Sequence, residues 1–167
     1  MKTLVVIRGP MGAGKTAVSA QLAQLLPRSV RLDGDWCWDM HPFTVTEETK
    51  AMVLDNITHL LRNFLRCSEI DFVIFAWVLN DASALGAIQS GLAGCDYDLH
   101  LVTLLPDAQT LRAQLSRDVA AGKRAPDVIG RAEAYRKCYD PSASDALIPH
   151  GETARELAEK IAAELNR

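Results

Sequence analysis

Residues 9–16 read Gly9-Pro10-Met11-Gly12-Ala13-Gly14-Lys15-Thr16, which matches the phosphate-binding Walker A pattern GxxxxGK[ST] at every fixed position. The stretch directly follows the apolar run 4–7 and precedes a segment whose leucines recur at helical spacing, the strand–loop–helix context that the pattern requires. Glycines let successive backbone N–H groups point inward around an anion, and the following helix N-terminus adds partial positive charge. The stretch therefore predicts a loop that binds the phosphates of a nucleoside triphosphate.

Two side chains of this loop have specific predicted roles. Lys15 is expected to reach the β- and γ-phosphates, and the Thr16 hydroxyl is expected to bind Mg²⁺. The alternative interpretation, a glycine-rich turn with a solvated lysine, would not require the strand and helix on either side. The predicted nucleotide-binding residues here are Gly9, Met11, Gly12, Ala13, Gly14, Lys15, Thr16 and Ala17.

Apolar, strand-like runs alternate with helix-like segments along the whole chain. Strands are predicted at 4–7, 29–32, 72–79, 98–105 and 146–148, and helices at 15–26, 46–66, 80–92, from 106 onward, 127–139 and 153–165. Short connections between alternating elements predict a parallel sheet with helices on both faces. We expect a single α/β domain over residues 1–167, a three-layer sandwich with about five strands, in which the almost wholly apolar run 72–79 is central.

Composition excludes several classes of protein. The chain has 167 residues, of which 49% are hydrophobic and 23% charged, as in ordinary globular proteins. Its net charge of −3 does not favour nucleic acid as a partner. Apolar runs fall far short of the about 18 residues that span a bilayer, and the N-terminus lacks a secretory apolar core, so no membrane partner and a cytoplasmic location are expected. A monomer or a homodimer fits such a chain.

The class of phosphate-binding protein follows by elimination. Signalling GTPases need an NKxD-type guanine reader, which the chain lacks. Motor and AAA-type ATPases usually carry an acidic pair after an apolar strand, whereas the run 72–79 ends in Asn80-Asp81, and the chain is short for those machines. Kinases of small molecules remain.

The acidic turn Asp33-Gly34-Asp35 supports a kinase. It follows the second predicted strand, so in a parallel sheet it emerges at the carboxyl edge beside the phosphate loop. Carboxylates at positions i and i+2 can face different targets. One can organise Mg²⁺, and the other can accept a proton from an attacking hydroxyl. The alternative is an ordinary Asx-turn in a solvated loop.

A basic segment lies late in the chain. Between Arg112 and Lys137 there are seven basic and three acidic residues, and the helical pattern breaks at 120–126. A mobile lid over residues 118–130 that closes arginines over the triphosphate would have this composition. Arg117 and Arg124 are the leading lid candidates, followed by Arg112, Arg131 and Arg136. The alternative is a solvated helix face held by surface ion pairs.

Together these features resemble the small P-loop kinases related to shikimate kinase, gluconate kinase, adenylylsulfate kinase and chloramphenicol phosphotransferase. The resemblance implies a five-stranded parallel sheet, an arginine-bearing lid and ATP–Mg²⁺ as phosphoryl donor. It implies that Asp33 helps to organise Mg²⁺, that Asp35 contacts the acceptor hydroxyl, that Arg117 lies near the adenine and that Arg124 meets the phosphates. The glycine-rich acceptor motif of shikimate kinases is replaced here by residues 77–80, Trp-Val-Leu-Asn, so shikimate itself is not the expected substrate.

In this kinase layout the segment 36–43, which contains two of the three tryptophans, lines the acceptor pocket. An aromatic wall suits a ring-bearing or sugar-like acceptor, whereas the alternative is a hydrophobic cover over the first helices. Predicted catalytic residues are Lys15, Asp35 and Arg124; metal ligands are Thr16 and Asp33; further nucleotide contacts are Arg117 and Arg124; acceptor contacts are Asp35, Trp36, His41, Asn80 and Arg131.

The predicted activity is ATP-dependent phosphorylation of a small-molecule hydroxyl. Two alternatives remain at this point. A nucleotide or polynucleotide-end kinase would need more arginines near residues 36–66, where only Lys50, Arg62 and Arg66 occur. A non-catalytic ATP-binding regulatory or resistance protein would bind the nucleotide without turnover.

Overall fold

A computed structural model describes residues 1–165 as a five-stranded sheet with six α-helices and one short 3₁₀ helix. The strands are β1 (Lys2–Arg8), β2 (Ser29–Asp33), β3 (Phe72–Ala76), β4 (Tyr97–Leu104) and β5 (Ala146–Leu147). The helices are α1 (Lys15–Leu25), α2 (Glu47–Arg66), α3 (Ala82–Gly91), α4 (Ala108–Ala120), α5 (Val128–Arg136) and α6 (Ala154–Leu165), and the 3₁₀ helix covers Gly34–Trp38. Within this part of the chain no helix is both long and apolar enough to cross a membrane.

All strands of the sheet are parallel, in the order β2-β3-β1-β4-β5. The predicted α/β three-layer fold is therefore confirmed. The centre of the sheet is β1 and not β3, contrary to the expectation from the run 72–79. β3 lies one place from the centre and ends at Ala76, because the chain leaves regular strand geometry and reaches a positive φ of 43° at Leu79.

Two apolar layers cover the sheet, one on each face. The side chains of Val5, Ile7 and Ile74 pack against α1 and α6, whereas those of Leu4, Val6 and Phe75 pack against α2 and α3. Neighbouring residues of a strand point to opposite faces, so a strand covered on both sides is apolar at every position. This explains the continuous apolar run of β1, whose residues Leu4–Ile7 are at most 1% exposed.

A smaller third cluster joins α4 and α5 into a hairpin. Leu111, Leu115, Val128 and Ala132 are buried between the two helices, and Met11 of the phosphate loop packs against them. Leu115 lies so close to Gly12 that a Cβ added to this glycine would come within 2.5 Å of the leucine side chain. The α4–α5 hairpin therefore rests directly on the phosphate loop.

The phosphate loop leaves no room for a side chain at Gly9, and a substitution there tests this constraint. A Cβ at Gly9 would lie 2.2 Å from the backbone oxygen of Leu104, and the φ of Gly9 is +148°. Gly9→Ala is expected to destabilise the fold by about 2 kcal/mol or more, because neither backbone can yield cheaply. Urea unfolding followed by circular dichroism measures the loss.

Gly130→Ala is the matched control, because this glycine lies within α5 and a Cβ there would meet nothing within 4 Å. Alanine has the higher helix propensity, so this variant is expected to gain up to about 1 kcal/mol. Equal stability of the two variants would show that the close approach at Gly9 does not constrain the fold.

Candidate functional site

A cavity of about 210 Å³ opens at the carboxyl edge of the sheet, above the phosphate loop. The ends of β2 and β3, the N-terminus of α1 and the α4–α5 hairpin all contribute to its wall. The lining residues are Met11, Gly12, Gly14, Lys15, Thr16, Ala17, Asp33, Asp35, Ala76, Trp77, Val78, Gln114, Asp118 and Arg124. The structure thus brings together the phosphate loop, both predicted carboxylates and one predicted lid arginine.

Lys15 crosses the phosphate loop from the first turn of α1. Its ammonium donates hydrogen bonds to the backbone oxygens of Gly9 at 2.9 Å and Pro10 at 2.8 Å. Burial lowers the pKa of Lys15 to about 8, while the negative charges of Asp35 and Asp33 act in the opposite direction. A phosphate group in the cavity would therefore meet a cation that surrounding water screens little.

Thr16 and Asp33 form a second unit of the site. The Thr16 hydroxyl donates a hydrogen bond of 2.8 Å to Asp33 Oδ2, and Asp33 is only 5% exposed. The other carboxylate oxygen accepts the backbone N–H of Asp35 at 3.1 Å, which caps the 3₁₀ helix. This cap fixes where the acidic turn ends and holds the Asp33 carboxylate against α1.

Both carboxylates line the cavity, but Asp35 is exposed whereas Asp33 is buried. Desolvation by the surrounding protein and the neighbouring Asp33 charge raise the pKa of Asp35, and the Lys15 charge partly offsets them. The Trp77 side chain lies beside the Asp35 carboxylate and lowers its pKa, against the effect of burial. Gly34 allows this contact, because a Cβ there would lie 2.3 Å from the Trp77 ring. Asp35 is thus a carboxylate with a raised pKa that lies between Lys15 and Trp77.

The α4–α5 hairpin supplies the far wall of the cavity. Arg124 reaches it from the loop after α4, and its Nε lies 3.3 Å from Asp118 Oδ2. The charge of Arg124 acts on both Lys15 and Asp35. Gln114 and Asp118 were not predicted as site residues. These two residues are one helical turn apart, near the end of α4 and just before the helical pattern breaks at 120–126. Side chains at this spacing lie on one face of a helix, which is the signal that could have identified them.

Other predicted lid arginines do not line the cavity. Arg131 pairs with Asp127 at 3.0 Å and Arg112 with Glu133 at 2.7 Å, both on the outer surface. Arg117 donates to the backbone oxygen of Ala113 in its own helix, and Arg136 donates to that of Pro106. For Arg112 and Arg131 the structure therefore agrees with the alternative interpretation of surface ion pairs.

Three of the predicted acceptor contacts also lie outside the cavity. Trp36 is 56% exposed, and the Arg31 guanidinium lies 4.8 Å from the centre of its ring. His41 is exposed in the loop before α2, and Asn80 precedes Asp81, whose carboxylate caps α3. Trp77, which was not predicted as a site residue, lines the cavity, and Trp36 does not. The run 72–79 could have located Trp77, because the residues just past a parallel strand reach the site edge.

A polar network beneath the cavity joins the end of α5 to the sheet. Arg8 donates to the Thr103 hydroxyl at 2.8 Å and pairs with Asp145 at 3.2 Å. The Arg8 guanidinium lies 5.8 Å from the centre of the Tyr139 ring, and the Tyr139 hydroxyl donates to the backbone oxygen of Val78. The chain segments that bound the cavity are therefore linked through Tyr139.

The residues present fit a triphosphate with Mg²⁺. Within residues 1–165 no cluster of three or more His, Cys, Asp or Glu could hold a metal ion by itself. Mg²⁺ in phosphoryl-transfer sites characteristically uses one or two protein ligands, with phosphates and water as the others. The Thr16 hydroxyl and the Asp33 carboxylate, 2.8 Å apart beside the phosphate loop, supply such a partial set.

Comparison with protein families gives one match, to a family described as AAA domain, over residues 5–119. This covers more than half of the chain. The exclusion of AAA-type ATPases from the sequence was therefore wrong as far as the family is concerned. The acidic pair that such ATPases usually carry after a strand is nevertheless absent here. β3 ends at Ala76, and Trp77 and Val78 follow it. No curated protein matches the sequence significantly.

Solved structures share the fold over nearly the whole chain. The tunicamycin resistance protein of Deinococcus radiodurans has 20% identity and a TM-score of 0.69, covering 99% of this chain and 96% of its own. Shikimate kinase from Acinetobacter baumannii in complex with shikimate has 22% identity, a TM-score of 0.66 and coverages of 99% and 94%. The APS kinase of Mycobacterium tuberculosis in complex with AMPPNP and APS has 16% identity and a TM-score of 0.69, covering 99% of this chain and 98% of its own. The predicted resemblance to small P-loop kinases is therefore confirmed at the level of the fold.

The raised pKa of Asp35 predicts that its replacement stabilises the protein. Between the ordinary value of 3.8 and the raised value the folded state binds more protons than the unfolded state, so stability falls as pH rises through this window. Asp35→Asn removes the ionised group and is expected to raise the Tm at neutral pH. Calorimetric scans at several pH values should show that this increase in Tm becomes smaller as the pH falls through the window. A lower Tm at every pH would contradict the electrostatic account.

Proposed function

The chain belongs to the AAA domain family, and we propose that it is an ATP-dependent kinase that phosphorylates a hydroxyl group of a small molecule. The observation that carries the proposal is the juxtaposition around one cavity of Lys15, the Thr16–Asp33 pair, Asp35 and Arg124. A phosphate-binding loop alone is compatible with many activities. A basic carboxylate beside it is what transfer to a hydroxyl group requires.

The phosphate loop and its cations hold the triphosphate of ATP. Backbone N–H groups of the loop and the N-terminus of α1 surround the phosphates, and Lys15 supplies a charge between the β- and γ-phosphates. Lys15 would exchange its bonds to Gly9 and Pro10 for phosphate oxygens. Arg124 approaches from the opposite wall, where it can meet charge that develops on the transferring group. Asp118, which lines the same wall together with Gln114, pairs with Arg124 at 3.3 Å and holds its guanidinium there.

Thr16 and Asp33 are the residues that would hold Mg²⁺. When bound, the ion neutralises phosphate charge and orients the β- and γ-phosphates. Thr16 offers its hydroxyl oxygen, and Asp33 can accept hydrogen bonds from metal-bound water while its second oxygen caps the 3₁₀ helix.

Asp35 is the proposed general base. Its raised pKa favours acceptance of the proton from the acceptor hydroxyl, while the oxygen of that hydroxyl attacks the γ-phosphorus and ADP leaves. Asp35 and Trp77 lie side by side in the cavity wall. Trp77 and Val78 form the adjoining wall, on the side where the acceptor must lie if the triphosphate occupies the loop.

A second candidate is a resistance protein, which the likeness to the tunicamycin resistance protein favours. Such a protein could phosphorylate its ligand or merely hold it. The two cases differ in whether ATP is consumed in proportion to ligand. An acceptor that carries phosphate, as for a nucleotide kinase, has less support, because Arg62 donates to the backbone oxygen of Gly91 and does not line the cavity.

Turnover in a Lys15 variant tests the proposed function. Lys15→Ala is expected to abolish ATP-dependent phosphorylation and to weaken ATP binding, because no other ammonium lines the described cavity. ADP release in the presence of a library of hydroxylated metabolites gives the rate, and calorimetry gives the affinity. Unchanged turnover would remove the proposal.

Replacement of the two carboxylates provides the matched comparison. Asp35→Asn should keep ATP affinity and lower kcat at least about 10²-fold, as expected for loss of a general base. Asp33→Asn should instead shift the Mg²⁺ dependence of the rate. Identical effects of the two substitutions would show that the carboxylates do not divide the work in this way.

Residues 118–130 are proposed to act as a lid. Every residue from Ala120 to Asp127 is exposed, and a Cβ at Gly122 would meet nothing within 4 Å, so few contacts hold the loop open or closed. Bound ATP–Mg²⁺ should increase the protection of these amides from hydrogen exchange, because Arg124 gains an anionic partner. Equal protection with and without bound nucleotide would identify a surface loop that does not close.

Arg124 is expected to affect catalysis more than binding. Arg124→Ala should lower kcat by a larger factor than it weakens ATP affinity, since the charge that Arg124 meets grows in the transition state. Lys123→Ala is the control, because this neighbouring cation does not line the cavity. Equal losses in the two variants would point to net charge of the loop instead of a placed arginine.

A further inference from the structure

The segment that follows β3 forms one wall of the cavity without regular strand geometry. Trp77 and Val78 line the cavity, and the next residue, Leu79, is 3% exposed and has a φ of 43°. A positive φ is uncommon for a residue with a side chain, and it persists only where the surroundings hold it. The position of this wall therefore depends on the contacts that fix the backbone next to Leu79.

Two of these contacts meet at one carbonyl oxygen. The Val78 oxygen accepts the backbone N–H of Gly9 at 3.3 Å and also the hydroxyl of Tyr139. The bond from Gly9 is longer than is usual for an N–H donor, so Tyr139 is the stronger of the two partners. Tyr139 is 6% exposed, and burial raises the pKa of its hydroxyl, which therefore keeps its proton and remains a donor.

The Tyr139 ring is itself held in place by the end of β1. The Arg8 guanidinium lies 5.8 Å from the ring centre, donates to the Thr103 hydroxyl at 2.8 Å and pairs with Asp145 at 3.2 Å. Arg8 is the last residue of β1 and directly precedes Gly9. The strand that carries the phosphate loop thus also supports the tyrosine, which gives the hydroxyl a fixed place relative to that loop.

Trp77 connects the position of Val78 to the acidic turn. The Trp77 ring packs so closely on Gly34 that a Cβ there would lie 2.3 Å from it. The same ring lies beside the Asp35 carboxylate in the cavity wall. A displacement of the Val78 carbonyl would move Trp77 along the chain next to it, and so would change the surroundings of Asp35.

We infer that Tyr139 is a positioning residue of the reaction, which acts through its hydrogen bond to the Val78 carbonyl and thereby holds Trp77 beside Asp35. The inference rests on the proposed kinase function and adds to it a residue that is not part of the cavity lining. Its effect is expected on phosphoryl transfer and not on ATP affinity, because the contact of Gly9 with Leu104 holds the phosphate loop separately.

A matched pair of variants tests the inference. Tyr139→Phe removes the hydroxyl and keeps the ring over Arg8. Ser29→Ala is the control, because the Ser29 hydroxyl also donates to a backbone oxygen, that of Ala23 at 2.8 Å, and Ser29 does not line the cavity. Each variant loses one hydrogen bond, so each is expected to lower the Tm by a few degrees. A difference between them at the site is then not an effect of stability alone.

Fluorine NMR of the full chain labelled with 5-fluorotryptophan follows the position of Trp77. The chain has three tryptophans, and replacement of each by Phe assigns its resonance. Tyr139→Phe should shift or broaden the Trp77 resonance and leave that of Trp36, which lies outside the cavity lining, unchanged. Ser29→Ala should change neither resonance. An unchanged Trp77 resonance in Tyr139→Phe would overturn the inference.

Kinetics then show whether the position matters for transfer. ADP release is measured with the metabolite that the unaltered chain phosphorylates fastest in a library of hydroxylated compounds. Tyr139→Phe should lower kcat about 3- to 10-fold and leave the affinity for AMPPNP unchanged, whereas Ser29→Ala should affect neither. An unaltered kcat, or equal losses of kcat and AMPPNP affinity, would refute the positioning role. Absence of phosphorylation by the unaltered chain would instead refute the kinase function, and the Trp77 resonance would still show whether Tyr139 holds this wall.

Discussion

The close approach of two backbones beneath the phosphate loop is the constraint on which the rest of the structure depends. Gly9 lies against the Leu104 carbonyl oxygen with no space for a side chain, and Gly12 lies against the side chain of Leu115. The first contact fixes the loop to β4, and the second fixes it to the α4–α5 hairpin. With the loop held on both sides, α1 begins at Lys15 and directs its N-terminus into the cavity. The positions of the surrounding side chains follow from this arrangement.

The electrostatics of the cavity follow from burying one lysine beside two carboxylates. Burial lowers the pKa of Lys15 and raises that of Asp35, while each charge favours the ionised form of the other. The Asp33 carboxylate is held by Thr16 and by the backbone of Asp35, so its two oxygens have separate partners. Two acidic residues at positions i and i+2 therefore have different surroundings, one fixed and one open. Such a difference is how a site obtains two functions from one residue type.

Much of the fold and part of the site could be predicted from the sequence, for physical reasons that differ by residue. Strands buried on both faces are continuously apolar, so β1 and β3 could be predicted from their apolar runs. The phosphate loop could be predicted because its backbone geometry requires glycine at fixed positions. Sheet order was not visible, because β1 and β3 have equally apolar sequences. The sequence also could not show which of Trp36 and Trp77 lines the cavity, because the direction of each ring depends on tertiary packing. Trp77 packs against Gly34, and Trp36 packs against Arg31. The role of Arg131 could not be predicted either. Asp127 lies four residues before it, but that spacing is compatible with a surface ion pair and with a lid.

The network around Tyr139 has a mechanical consequence for the α4–α5 hairpin. Just beyond α5, the ring lies over Arg8, and its hydroxyl is bonded to the Val78 carbonyl, so this end is fastened to β1 and to the segment after β3. At the opposite end of α5, Val128 is buried against α4, whereas the exposed residues 121–126 before it have no described hydrogen bond to the sheet. Any closing motion would therefore be confined to residues 121–126, while Tyr139 and the buried side chain of Val128 hold the two ends of α5 in place. Among these residues Arg124 is the one that lines the cavity, so movement of this short loop alone would change the position of the guanidinium relative to Lys15 and Asp35 without moving either helix.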